Sequence, residues 1–264
     1  MAVSVYTGSL RYLRRKSRRI AKSRCKRAAI GYGLLVLAAF FAANWIYQVA
    51  RKPSQILAPI SSSWGKSPQA TWKAYGALFE KYSTRIIAPE LLAALAQVEA
   101  AGNPIAATYW RWRWSWNPLE IYRPASSAVG MFQITDGTFA EARKYCIRNN
   151  QVLKAGSSDD PNSCWLNRFY SRTVPSHAAE MTAAYLHQKV SDTLARLGRR
   201  KAALAQQQRL AAVIHLCGPQ RAESFARRGF RAAPGERCGA HGLARYVAQV
   251  EAMKTEFARL RAAD

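Results

Sequence analysis

Residues 91–106, LLAALAQVEAAGNPIA, hold one acid in an otherwise apolar run. At 100° per residue Leu91, Leu92, Leu95, Val98 and Glu99 share a helix face, while Glu90, Ala93 and Gln97 point elsewhere. Glu99 is therefore expected to face inward or into a cleft. Pro89 suits a first helical position and Gly102 with Asn103-Pro104 suits a stop, so the acid falls in the last turn. The carbonyl end of the helix dipole and an apolar surround both disfavour the charged form there, which keeps a proton available for general-acid chemistry. The same position equally suits a glutamate at a solvated helix edge, or one paired with an arginine.

The elements that must position this acid are mostly helical. The spacing predicts a helix over 69–83, with Trp72, Tyr75, Leu78 and Phe79 inward, then the Glu99 helix, and further helices at about 135–148, 176–197, 201–217 and 242–261. Between 104 and 129 the helical pattern breaks. Trp110, Trp112, Trp114 and Trp116 alternate with Arg111, Arg113 and Ser115, a period of two that reads as a short strand or extended ribbon. These tryptophans either line a saccharide groove by stacking, with the arginines reading acidic peptides, or pack down on the domain. The segment SSDDPNS, 157–163, lacks the alternating oxygen ligands of a calcium loop and reads as a solvated turn.

Upstream, the first fifty residues form a separate region. RYLRRKSRRIAKSRCKR, 11–27, has ten basic residues and no acid, and an apolar run follows to Ala50. The chain thus divides into a basic arm (1–27), a transmembrane helix (28–50), a Pro/Ser/Gly-rich tether (51–67) and a domain (68–264). Ala42-Ala43 would suit cleavage of a signal peptide, but the basic region and the apolar core are both longer than such peptides carry. The positive arm places the N-terminus in the cytoplasm and everything after Lys52 on the far side of a bacterial inner membrane, in the periplasm. Beside a membrane span the arm serves orientation and anionic lipid rather than nucleic acid.

Cysteine usage agrees with export. Cys146, Cys164, Cys217 and Cys238 form an even set beyond the span, and the local pairs Cys146 with Cys164 and Cys217 with Cys238 would each close a loop of about twenty residues, worth roughly 3 kcal/mol. No CxxC or histidine spacing supports zinc, so no metal is expected. The net charge of +25 is not exhausted by the arm and points to an acidic polymer. Outside the cytoplasm, wall glycan with carboxylate-bearing peptides is the abundant candidate.

A second stretch bears on the chemistry: 126–138, SSAVGMFQITDGT. With Glu99 it resembles the soluble-type lytic transglycosylases and their goose-type lysozyme relatives. Those proteins carry a catalytic glutamate at a helix end, usually followed by Ser-Gly and then Asn-Pro, and later a Gly-Leu-Met-Gln segment. Here Glu99 precedes Ala100-Ala101-Gly102-Asn103-Pro104, and Gly130-Met131-Phe132-Gln133 supplies the second motif. Ala184-Tyr185-Leu186 resembles the family's Tyr-Leu helix, AAVIHLCGP (211–219) its Ala-Tyr-Asn-Ala-Gly-Pro segment, and Arg245-Tyr246-Val247 its closing Tyr-Val motif.

The resemblance, over roughly 70–255, implies a mainly α, lysozyme-like fold with a small extended element. It implies no cofactor, and a peptidoglycan substrate whose MurNAc-GlcNAc β-1,4 bond is cleaved to give 1,6-anhydro-MurNAc. Glu99 would act as single acid and base. Gly130 and Met131 would form the groove wall, Gln133 would bond a sugar or the acid, Tyr246 would point its hydroxyl at Glu99, and His215 would occupy the tyrosine position of the third motif, where a satisfied helix histidine is the alternative. Trp112 and Trp114 join the substrate-binding set. Phe132 and Ile134 read as core. Glu120 and Asp136 offer no convincing second carboxylate, and Glu141 and Glu180 fit helix surfaces. Ala100 in place of serine, Leu216 in place of asparagine, and the aromatic insertion depart from the pattern. They keep open two other functions: a muramidase that uses water, and an inactive wall-binding module of an envelope-spanning machine.

Overall fold

The computed structural model describes residues 3–52, 56, 63–154, 164–199 and 201–264, with side chains from Cys25 onwards. The mainly α class holds, with 62% helix and 10% strand. Most of the tether and the whole SSDDPNS segment lie outside the described residues.

The chain forms two compact units. The first comprises residues 1–53 together with 111–123, and the second comprises 54–110 with 124–264. In the first, helix α1 (Val3–Arg51) runs without a break through the basic arm and the apolar run, so the expected boundary at residue 27 is not an element boundary. Its portion Cys25–Arg51 is 27 residues long and apolar enough to cross a membrane. At 1.5 Å per residue that is about 40 Å, more than the hydrocarbon core requires.

The second unit is a helical domain. α2 (Pro68–Lys81) begins where the Ser67 side chain accepts from the Ala70 N–H and Pro68 takes the first helical position. α3 (Pro89–Ala100) starts the same way on Pro89, with Glu90 favourable to the dipole. It packs between α2 and α8 (Leu243–Ala263). Leu91 through Ala96 are all fully buried, Ala93 included. α3 is thus buried on every side rather than on one stripe, as a central core helix is. It emerges at its ends, where Glu90 and Gln97–Ala100 are half-buried.

α4 (Asp136–Ala142) is shorter than the helix expected over 135–148. The chain turns at Ala142 into a hairpin, β3 (Tyr145–Arg148) with antiparallel β4 (Gln151–Lys154). Asn149 and Asn150 both have positive φ, 49° and 60°, which a two-residue hairpin loop demands. Then come α5 (Pro175–Arg196), α6 (Leu204–Cys217) and α7 (Pro219–Arg227), the last inside a stretch that reads as irregular from its Gly and Pro content. A minimal hairpin, β5 (Arg237–Cys238) with β6 (His241–Gly242), leads into α8. Both expected disulfides are present, Cys146–Cys164 and Cys217–Cys238, each with Cα atoms 5.4 Å apart. Cys25 is the free cysteine.

The Trp/Arg stretch is extended, as the period of two implies. β1 (Trp110–Trp112) pairs with β2 (Tyr122–Pro124), and a one-turn 3-10 helix, Pro118–Glu120, lies between them.

Candidate active site

Glu99 sits where the central helix meets solvent. The chain leaves α3 through two successive left-handed residues, Ala101 (φ 49°) and Gly102 (φ 65°). Gly102 has no alternative, because a Cβ there would overlap the Thr71 side chain. The exit is pinned from the tether side. Gln97 accepts from the Thr71 hydroxyl at 2.8 Å and donates to the Lys66 carbonyl at 3.0 Å, while the Lys66 N–H donates to the Ala101 carbonyl at 2.7 Å. Such a web fixes the last turn, and with it the direction of Glu99.

Two further helices supply its neighbours. From α8, the Tyr246 hydroxyl donates to Glu99 Oε1 at 2.5 Å. Burial first, and then the Glu99 charge, raise the Tyr246 phenol well above its ordinary range, so it stays a donor at any working pH. From α6, His215 Nε2 stands 3.6 Å from the same oxygen, with both side chains largely buried. That is too long for a hydrogen bond but close for a Coulombic contact when the imidazole is charged. Both partners approach Oε1. None of the described residues bonds Oε2.

Among the described residues no second carboxylate joins them. Glu120 lies in the first unit and pairs with Arg51 and Arg123. Asp136 pairs with Arg172 at 2.9 Å, and Glu141 with Lys189. Glu180 is not on a helix surface: it is buried, accepting from the Ile147 N–H at 2.9 Å and the Tyr170 hydroxyl at 2.6 Å. Its carboxylate secures the β3 hairpin to α5, a use that helical spacing alone does not reveal.

The second motif folds as a tight turn. Gly130 (φ 82°) donates its N–H to the Ala106 carbonyl at 2.8 Å, and a Cβ would overlap the Arg172 carbonyl oxygen. Gln133, also at positive φ (46°), donates from its side-chain amide to the carbonyls of Gly130 (3.0 Å) and Ala106 (3.3 Å). Those amide bonds hold the turn itself. Met131 is fully buried beside Phe132, so it packs in the core instead of forming an open groove wall. Arg172 escapes sequence reasoning: its guanidinium donates to the Ser127 and Ile134 carbonyls, both at 2.8 Å, and so brackets the turn. An isolated arginine in a loop gives no warning of that role.

A cavity of about 220 Å³ is lined by Gln133, Ile134, Thr135, Thr138, Tyr185, Ile214, His215, Leu216 and Gly218. His215 therefore faces Glu99 on one side and an open pocket on the other. Larger hollows, about 640 and 730 Å³, lie around Arg85. Their linings contain neither Glu99 nor His215, whereas the smaller cavity includes His215. Trp112 and Trp114 belong to the first unit, where Trp112 packs on Phe41 and Tyr122. The structure groups them with α1.

A family model described as Transglycosylase SLT domain matches residues 77–206. That range contains Glu99 and the Gly130–Gln133 turn and stops short of His215 and Tyr246. No curated protein and no solved structure matches the chain.

Proposed function

Because this chain carries a transglycosylase SLT domain at residues 77–206, a domain that acts on peptidoglycan, we propose that it is a lytic transglycosylase with Glu99 as both acid and base. One observation carries the reading: Glu99 has a tyrosine and a histidine on one carboxyl oxygen, a free second oxygen, and no carboxylate companion among the described residues.

The chemistry follows from that inventory. With Tyr246 donating to Oε1, the acid carries its proton on Oε2, which none of the described residues bonds. Oε2–H protonates the bridging oxygen as the bond from MurNAc C1 to that oxygen breaks, and an oxocarbenium-like centre develops at C1. The resulting carboxylate is stabilised by the Tyr246 hydroxyl and, when charged, by the His215 imidazolium. It then takes the proton of the MurNAc C6 hydroxyl as O6 bonds to C1, closing the 1,6-anhydro ring. Glu99 ends protonated and no water is consumed. A hydrolase following the usual two-carboxylate scheme would need a second acid either about 5 Å away as nucleophile or farther off to activate water.

The cavity beside His215 holds the sugar on one side of the scissile bond, and Gly130 and Gln133 shape the adjoining turn. In place of the family's tyrosine, His215 contributes an imidazole. The Cys25–Arg51 helix anchors the chain in the inner membrane, with the N-terminus cytoplasmic and the domain in the periplasm. An anchored enzyme of this size suits local opening of the wall, including for an envelope-spanning machine. The test is digestion of purified sacculi: wild type should release anhydro-muropeptides and Glu99→Gln should release none while still pelleting with the wall. Equal lysis by the two would remove Glu99 from the chemistry.

A further inference from the structure

The last two turns of the α1 span carry an oddity. Among the side chains from Cys25 to Arg51, which are otherwise exposed or half-buried, Asn44 (1% exposed) and Gln48 (5%) are buried. Asn44, Tyr47, Gln48 and Arg51 follow one another at i, i+3, i+4 and i+7, a polar stripe on one face. All four grip the tip of the Trp/Arg hairpin. Asn44 Nδ2 and Gln48 Nε2 both donate to the Leu119 carbonyl at 2.8 Å. The Tyr47 hydroxyl donates to Glu120 at 3.3 Å and accepts from Asn117 Nδ2 at 3.2 Å, while Arg51 pairs with Glu120. Above this clasp Phe41 meets both Trp112 and Tyr122 edge to face.

The clasp leaves the hairpin's aromatic side outward. Trp112 is 61% exposed, Trp114 83% and Trp116 93%. Arg111 and Arg113 alternate with them, exposed and without a carboxylate partner among the described residues. Three exposed indoles and two free guanidiniums on a short ribbon make a poor water-facing surface. They suit a bilayer interface, where indole rings prefer the headgroup level and arginines meet phosphate. The ribbon is fastened to the end of the span, so its height along the helix coincides with that interface. The amide stripe fits too, because an unsatisfied Asn or Gln near lipid is costly, and one carbonyl of the hairpin satisfies both.

We propose that residues 110–124 form an interfacial membrane-docking hairpin, clasped to the periplasmic end of α1 and inserted by Trp112, Trp114 and Trp116 among anionic phospholipids. This rests on reading Cys25–Arg51 as a membrane span. It assigns the tryptophans to lipid rather than to saccharide, and it gives the enzyme domain a second tie to the membrane besides the tether, through the chain at Trp110 and Pro124.

The test uses the full chain in proteoliposomes of phosphatidylethanolamine and phosphatidylglycerol, brominated at the upper acyl carbons. Tryptophan emission should be quenched, and the double variant Trp114→Phe, Trp116→Phe should lose about half of that quenching. Asn44→Leu with Gln48→Leu, which keeps every tryptophan, should lower it as well by releasing the clasp. Alkaline carbonate extraction separates the two readings. Chain released by carbonate overturns the span and the hairpin together. Chain retained, with wild-type and double-variant quenching alike, overturns the hairpin alone. So would soluble glycan strands that shift Trp114 and Trp116 emission in detergent while brominated lipid leaves it unchanged.

Discussion

Glu99 Oε1 has two neighbours of different kinds, and the difference sets what each contributes. Tyr246 is a buried donor at 2.5 Å that cannot ionise in any working range, so its effect is constant with pH. Its bond to the carboxylate is charge-assisted and worth about 1.5–3 kcal/mol. Tyr246→Phe is therefore expected to lower turnover by about 10-fold or more, with little change in wall binding, as measured by muropeptide release against pelleting. Glu99→Gln removes the transferable proton and should cost about 10²–10⁴-fold in the same assay. The contact of Tyr246 with Glu99 and the positive φ of Gly130 were legible because chemistry or backbone conformation dictates those residue types. The roles of Met131 and Gln133 were not, because the same motif letters serve a buried turn equally well. Arg172 was not either, since its work is done by contacts to distant carbonyls.

At the scale of elements, the α3 exit shows a local cost. Ala101 adopts φ 49° and ψ 42°, at the position where the resembling family places glycine. A left-handed alanine costs about 1–2 kcal/mol, partly offset because glycine loses more chain entropy on folding. Ala101→Gly should accordingly raise stability by about 0.5–1 kcal/mol in a urea titration, with the midpoint moving and the slope unchanged. The α5 histidine His187 gives a pH signature. Burial, and then the Arg85 charge, lower its pKa from 6.5 to about 4, and it shares a 2.8 Å hydrogen bond with Thr84. Between those values the unfolded chain holds a proton that the folded one lacks, so stability falls as pH drops from about 6.5 to about 4. The loss is on the order of 2 kcal/mol, and His187→Gln should flatten that part of the curve in denaturant titrations. The helices themselves were readable from apolar spacing and, for α3, from Pro89 at its start; Pro68 and Pro175 open α2 and α5 in the same way. The β3–β4 hairpin was not, because Tyr145, Cys146 and Ile147 continue a helical apolar pattern. Asn149-Asn150 was the signal that should have interrupted it. α7 was masked by Gly218 and Pro219, which here cap a new helix start rather than open a loop.

At the scale of the whole molecule, the two disulfides act on different regions. Cys217–Cys238 joins the end of α6, two residues past His215, to the hairpin that leads into α8 and Tyr246. Reducing it releases a loop whose closure is worth roughly 3 kcal/mol and loosens both partners of Glu99. Reductant should therefore lower the melting temperature and depress activity beyond what Cys146→Ser with Cys164→Ser produces; equal losses would mean the bond does not position the site. The strong positive charge suits an acidic wall polymer and the anionic leaflet alike, so charge alone does not distinguish the two. Most directly decisive is mass spectrometry of the muropeptides released from intact sacculi by the full-length chain, with Glu99→Gln as control. We expect products lighter by one water than hydrolysed muropeptides, all lost in the variant. Hydrated reducing ends, or release undiminished by Glu99→Gln, would contradict a single-carboxylate transglycosylase.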